Sequence, residues 1–319
     1  MVAMRGWWQD LTDLVLPAEC GGCGRARTVL CPECRTALSG AAPRRVRPVP
    51  EPPGLPVVHA AARYADEVRA VLLAHKERGV LALAGPLGTA LAGAVRAGLR
   101  EVWTGGARVG NDGTGPAGRL GPVLLVPVPS SRRAVRARGH DPARRIALAA
   151  AGELRRTGTP ARVLAVLRQR HAVADQSGLG ARQRMDNLTG ALAVAPGGAS
   201  LLSRGGPVVL VDDLMTTGAS LTEAARAVRA ARTEAIVDMA PPSEPPTGPG
   251  TYNSARTAVY PSAVWEGREE RKAGETPEAA AREPEGPGMA GPGGGDVIRE
   301  VICAAVVAAS PDSFEINRN

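Results

Sequence analysis

Aromatic side chains are scarce, 3% of the 319 residues, and Phe314 is the single Phe. A core without aromatics has to be filled by Ala, Val and Leu. Hydrophobic residues make up 44% of the chain, ample for one ordinary domain with a smaller module beside it. Base stacking has little to work with, since Trp7, Trp8, Trp103 and Trp265 are scattered. Lysine is almost missing. Lys76 and Lys272 are the only two among 39 basic residues, so the net charge of +8 is carried by Arg. With the surplus of Ala and Gly, this reads as a GC-rich coding bias, which weakens a pI near 9.9 as a sign of nucleic-acid binding. The opening MVAMRGWWQDLTDL is interrupted by charged and polar residues and has no secretory apolar segment. The longest apolar run, Val80–Val95, is 16 residues broken by Gly and Pro, too short to cross a bilayer. A cytoplasmic protein with no membrane span is the expectation. No GxxxxGK occurs, which disfavours a Walker-type NTPase.

The charge that is present is concentrated. Between Pro127 and Gly190 stand 13 Arg against four acidic residues, which argues for a polyanion site rather than a diffusely basic surface. Gly (39) and Pro (28) are as unevenly placed. Pro43–Pro56 holds six prolines and reads as a stiff linker, and Thr104–Pro122 with seven glycines reads as a loop. In Pro241–Gly295, 20 of 55 residues are Pro or Gly and no apolar period survives, so a disordered insertion is expected.

Periodicity supplies the elements. Tyr64, Val68, Val71, Leu72 and His75 fall on one helical face, and Leu87, Leu91, Val95, Leu99 and Val102 on another that begins near Pro86. Asp141-Pro142 provides an N-cap and a first-turn Pro for a helix running to about Arg156. The apolar runs Val123–Val128, Ala161–Leu167 and Pro207–Asp213 alternate with helices, which predicts an α/β fold with a parallel sheet covered on both faces. Val301–Ala309 returns to buried-strand composition, so the tail rejoins the sheet beyond the insertion.

Cys20, Cys23, Cys31 and Cys34 form two CxxC pairs separated by seven residues. Two such turns can close a tetrahedral thiolate site around structural zinc, with no position left for a catalytic water; redox disulfides are the rival reading. Cys303 lies alone in an apolar run and reads as a buried, inert thiol.

The strand Val208–Val211 runs into Asp212, Asp213 and then Leu-Met-Thr-Thr-Gly-Ala-Ser. Ser220 and Glu223 match a capping box, which would fix a helix start there. Backbone N–H groups, the hydroxyls of Thr216, Thr217 and Ser220, and a helix dipole would then converge on an anion, with Gly218 permitting close approach. Paired carboxylates at the carboxyl end of a strand repel phosphate, so they suit neutral hydroxyls or a metal. A ribose 5-phosphate meets both demands: its phosphate on the loop, its 2′ and 3′ hydroxyls on the aspartates.

This segment resembles the phosphoribosyl-pyrophosphate (PRPP) motif of type I phosphoribosyltransferases. Together with LVLPAECGGCG, CPEC, YADEVRAVLLAHKERG, VPVPSSRRAVRARGHDPARRIA and VADQSGLGARQRMDNLTGAL, the chain is similar to the ComF family of competence-protein-F-like, amidophosphoribosyltransferase-like proteins. The resemblance implies a type I phosphoribosyltransferase fold, a central, mainly parallel sheet flanked by helices, preceded by a small zinc module. It divides the chain into a zinc module (1–42), the linker (43–56), a transferase domain (57–240, hood 57–122 and core 123–240), the insertion (241–296) and a returning strand with tail (297–319). The late return of the last strand departs from the family and bears on the edge of the sheet. By resemblance, PRPP would be held by Asp212, Asp213, Met215, Thr216, Thr217, Gly218, Ala219 and Ser220. Ser130, Ser131, Arg132 and Arg138 would hold its pyrophosphate with magnesium bridging, and hydroxyls and guanidinium forks at a strand end suit that role. Arg182, Arg184 and Asn187 fall in a segment that is a mobile lid in the related enzymes, where Arg184 joins Asp212 and Asp213 as a catalytic residue. His140 stands where the family has another residue; it serves as a proton donor or as local packing at a helix entry.

Two classes of function follow. One is a magnesium-dependent transferase moving phosphoribosyl to a nucleophile that the sequence does not name. The other is a non-catalytic PRPP sensor or single-stranded-DNA-binding competence factor, with a competence-machinery protein as a further partner. No N-terminal glutaminase nucleophile is present, so glutamine is not implied as the amine source.

Overall fold

The computed structural model describes residues 19–106, 121–170, 188–203, 206–239 and 302–314. The chain divides into two units, 1–239 with 295–319 and 240–294, and every described residue belongs to the first. The expected lid with Arg182, Arg184 and Asn187, residues 107–120 of the expected glycine-rich loop and the Pro/Gly insertion lie outside the described residues; the first three residues of that loop, Thr104–Gly106, are the end of a helix instead.

The fold is α/β. A six-stranded sheet runs in the order β1 (Arg44–Val46), β2 (Val58–Arg63), β8 (Ile302–Ala309), β7 (Val208–Met215), β3 (Val123–Pro127), β4 (Ala161–Val163). Only the β1–β2 pair is antiparallel. The strand beyond the insertion therefore rejoins the sheet in its interior, between β2 and β7, and not at an edge. Its residues Cys303–Ala309 are all buried, as a strand covered on both faces requires. One face carries α2 (Asp66–Lys76), α3 (Ala84–Gly106) and α5 (Pro142–Arg156), whose apolar stripes enter one core with Val209, Val211 and Cys303. Against the other face lies α7 (Ala219–Met239), packed on Val208, Leu210, Val306 and Phe314.

Local signals hold where expected. Asp141 Oδ1 accepts from the Arg144 N–H and caps α5, which ends at Arg156. By length and hydropathy the helix Leu81–Trp103 is apolar enough to cross a bilayer, yet 56% of its apolar window is buried in this fold, as befits a core helix.

One strand is split. The run Ala161–Leu167 pairs with β3 only through Leu164, then leaves to form β5 (Leu167–Gln169) in a separate two-stranded antiparallel sheet with β6 (Leu192–Val194). The N–H of Val123 bonds toward β4 while those of Leu124 and Val128 bond toward β7. By alternation, position 127 should donate to the β4 side. It is Pro127, which has no N–H, so the ladder stops.

The four-cysteine segment shares the main core. Cys31, the N-cap of the first helix α1 (Pro32–Ser39), and Cys34 and Leu38 on it pack in one cluster with Val71, Leu83 and Leu87. Helices α3 and α5 meet through Gly88, where an added Cβ would lie 2.5 Å from Ala149 Cβ and 2.8 Å from its backbone carbon. Gly88→Leu should therefore lower the urea-unfolding free energy by about 2 kcal/mol, an overpacking cost. Gly152→Ala, in open space on α5, should raise it by up to about 1 kcal/mol through helix propensity.

Candidate functional site

The acidic pair sits where the sheet is stepped. β3 ends opposite Val211 (Pro127↔Val211), while β7 runs on to Met215 paired only with β8. Asp212 and Asp213 thus project beyond the β3 edge. Asp213 is 6% exposed and its carboxylate meets the Lys76 ammonium at 2.9 Å, at the carboxyl end of α2. Asp212 is half-buried, and its Oδ1 accepts the Asp213 N–H at 2.8 Å. Burial, then the neighbouring Asp213 charge, push the Asp212 carboxyl well above the usual carboxylate range, against the pull of Lys76. Burial disfavours the charged form of Lys76, but Asp213 and Asp212 together outweigh it and raise its pKa. Lys76 belongs to this site, and sequence reasoning missed it. Its signal was compositional: one of two lysines in a chain that otherwise uses Arg.

Beyond Met215 the chain turns through Thr216, Thr217 and Gly218 into α7. Gly218 has φ +76°, a left-handed conformation that favours glycine, and the Thr222 N–H bonds its carbonyl to open the helix. The helix starts at Ala219, so the expected capping box does not form and Ser220 lies inside the first turn. Glu223 is used otherwise. Its Oε1 accepts the Leu192 N–H at 3.0 Å, its carboxylate pairs with Arg226 at 2.7 Å, and Arg226 donates to the Leu192 carbonyl. The pair ties β6 of the two-stranded sheet to α7. A cleft of about 40 Å³ is lined by Asp212 and Leu214–Leu221. At about 10–15 Å³ per water on this measure, it accommodates a phosphoryl group rather than a whole nucleotide. Pro48 and Leu55 of the proline-rich segment close over the turn, 3.1–3.4 Å from where a Gly218 Cβ would stand.

The second half follows β3. Ser131 caps α4 (Arg132–Arg138) by accepting the Ala134 N–H, and the Ser130 N–H donates to Asp141 Oδ2. Arg132, Arg133 and Arg136 are exposed. Arg138 is not free: it makes a two-point pair with Glu77 at 3.0 and 2.9 Å. His140 is buried, with Nε2 3.2 Å from the His75 carbonyl and Nδ1 3.2 Å from that of Arg138, so it packs the helix entry. His59 contacts Glu101 at 2.9 Å beneath α3, and burial lowers its pKa despite that carboxylate. Cys303 is buried and pushed up to about 12, an unreactive thiol.

The candidate metal centre is separate. The sulfurs of Cys20, Cys23, Cys31 and Cys34 lie within 4.8 Å of one another, with Cys23 and Cys31 3.6 Å apart. Tetrahedral zinc with sulfur at about 2.3 Å places its ligands about 3.8 Å apart, so the set fits structural zinc. Gly22 lacks the Cβ that would stand 2.6 Å from Cys34 Sγ. Burial opposes ionisation of Cys20, but the N–H groups of Cys23, Cys31 and Gly22 prevail and bring its thiol down to about 6. Burial and the other three cysteines push Cys34 up. A shared cation would relieve that crowding.

Comparison with models of protein families and with curated proteins finds no match.

Chelation, or Cys34→Ser, should lower the thermal midpoint by several degrees, because the cysteines share the core of α2 and α3; loss of bound zinc should accompany it in elemental analysis. For Glu223, burial raises the carboxyl pKa, but Arg226 and the N–H groups of Leu192 and Gly190 prevail and lower it below 4.5. Its stabilisation is thus present above pH 4.5 and lost as pH falls through the lower folded value. Glu223→Gln should cost about 1–3 kcal/mol at pH 7, and the difference should shrink as unfolding is repeated below pH 4.5.

Proposed function

We propose that this protein is a phosphoribosyltransferase of the ComF type, binding PRPP at the carboxyl end of its sheet and transferring the sugar to a nucleophile. One observation carries the reading: an acidic pair, Asp212 half-buried and Asp213 buried, ends a strand that runs past its neighbour and leads into a hydroxyl-bearing, left-handed glycine turn at a helix start. Vicinal ribose hydroxyls suit the carboxylates, and a 5-phosphate suits the first-turn N–H groups, Thr216, Thr217 and the helix dipole.

Ser130, Ser131 and Arg132 stand at the end of the adjacent β3, where the diphosphate of a ligand anchored on β7 would extend. Ser131 already caps α4, so its hydroxyl can still donate while its lone pair is engaged. Among the described residues, the one cluster of three or more metal-ligating side chains is the four cysteines, so magnesium would arrive on the diphosphate itself. In the transfer, the C1–oxygen bond breaks with its electron pair leaving on diphosphate, and the nucleophile bonds to C1 with inversion. The chain contributes positioning and cations where negative charge grows. The rigid strand ends hold the sugar.

Calorimetry with PRPP and magnesium tests the reading. The unaltered protein should bind. Asp212→Asn with Asp213→Asn should weaken binding roughly ten- to hundredfold, the worth of one or two charge-assisted hydrogen bonds. Undiminished binding by the double variant, or none by the unaltered protein, rejects this site.

A further inference from the structure

We propose that Lys76 is a substrate-contacting residue, its ammonium holding Asp213 on one side and donating to the departing diphosphate on the other. The inference rests on the PRPP reading above and deepens it.

Three consecutive residues at the end of α2 reach three parts of the site. The His75 carbonyl meets His140 Nε2 at 3.2 Å, Lys76 binds Asp213 at 2.9 Å, and Glu77 holds Arg138 at two points. Lys76 is thereby fixed at the junction between the strand proposed for the ribose and the segment proposed for the diphosphate. The scissile C1–oxygen bond of a ligand spanning both would lie there. The positive charge of Arg138, itself held on Glu77, lies near enough to oppose that of Lys76. An ammonium has three N–H donors, and Asp213 is the one partner seen for Lys76 among the described residues. Its side chain is 33% exposed, which leaves donors for a ligand.

Residue type agrees with this role. A guanidinium would present two parallel donors to Asp213 and commit its fork to the carboxylate. A compact ammonium can be shared between a carboxylate and a phosphate. In a chain where 37 of 39 basic residues are Arg, this junction carries Lys. No proton transfer is needed: as the C1–oxygen bond breaks, the electron pair resides on the diphosphate oxygen and the N–H groups stabilise it. A purely structural counter-ion for Asp213 would behave differently, disturbing the ribose half of the site at least as much as the diphosphate half.

Calorimetry on the full chain with magnesium pyrophosphate and, separately, with ribose 5-phosphate discriminates. Lys76→Met should weaken pyrophosphate binding at least about tenfold and change ribose 5-phosphate binding by less than about threefold; Lys76→Arg should recover part of the loss. Should Lys76→Met melt early, Lys76→Gln keeps a hydrogen bond to Asp213 and carries the same comparison. Equal losses for both ligands, or an intact pyrophosphate affinity, overturn the role of Lys76 while leaving the site standing. Failure of the unaltered protein to bind either ligand overturns the PRPP reading and this inference with it.

Discussion

Everything at the carboxyl edge of the sheet depends on β7 being gripped unequally by its two neighbours. β3 releases it after Val211, whereas β8 stays paired as far as Met215. A strand held on both sides would bury its last residues among neighbouring backbones; a strand held on neither would fray. The step leaves the acidic pair without a β3 partner on one edge and keeps its backbone paired with β8 on the other. β8 has to travel for this, since it returns only after residues 240–301. Closing so long a loop costs only about 2 kcal/mol more than a tenfold shorter one. Full burial of Val306 and Val307 alone offsets that, at about 1.5–3 kcal/mol each. An insertion at this point is therefore tolerable to the fold.

The step creates an electrostatic problem that α2 solves. Adjacent carboxylates in a poorly hydrated place resist ionising together, and the upward pull on Asp212 records that resistance. Lys76 opposes it from a helix whose own carboxyl end favours a cation. Glu77, next in sequence, does the reverse for Arg138. The charges at this edge are paired across elements, so the anionic ligand proposed for it would meet cations already held in place, with little rearrangement to make.

Much of this was legible in the sequence, and the failures have definite causes. The α5 cap, the four cysteines, the returning apolar strand and the acidic strand end depend on signals within a few residues, and local signals survive folding. The capping box failed because Glu223 finds better partners in Arg226, one turn along α7, and in Leu192 on β6, 31 residues away. The long apolar run Ala161–Leu167 gave no sign of its break, which is dictated by a proline on the neighbouring strand. Lys76 was invisible as a site residue for the same reason. Its meaning lies in Asp213, 137 positions along the chain, and no spacing rule connects the two.

Residues 19–56, module and linker in the sequence, look accessory there and are not so in the fold. Arg44–Val46 adds the antiparallel edge strand, and Leu55 and Pro48 close over the Gly218 turn. The cysteine segment braces α2 directly: where a Gly22 Cβ would stand, Cys34 Sγ and Val71 Cγ2 are 2.6 and 3.3 Å away, and at Gly21 the near neighbours are Leu83 and Ala74. Val71 and Ala74 lie within five residues of Lys76 on that helix, about one turn and a half. A closed metal site leaves no room for chemistry at the metal, but it can set where a helix sits. With α2 seated on the cysteines at one face and carrying Lys76 at its end, the same packing that fills the core also aims a cation at the strand edge. The cysteine segment and the strand edge are thus two ends of one structural arrangement.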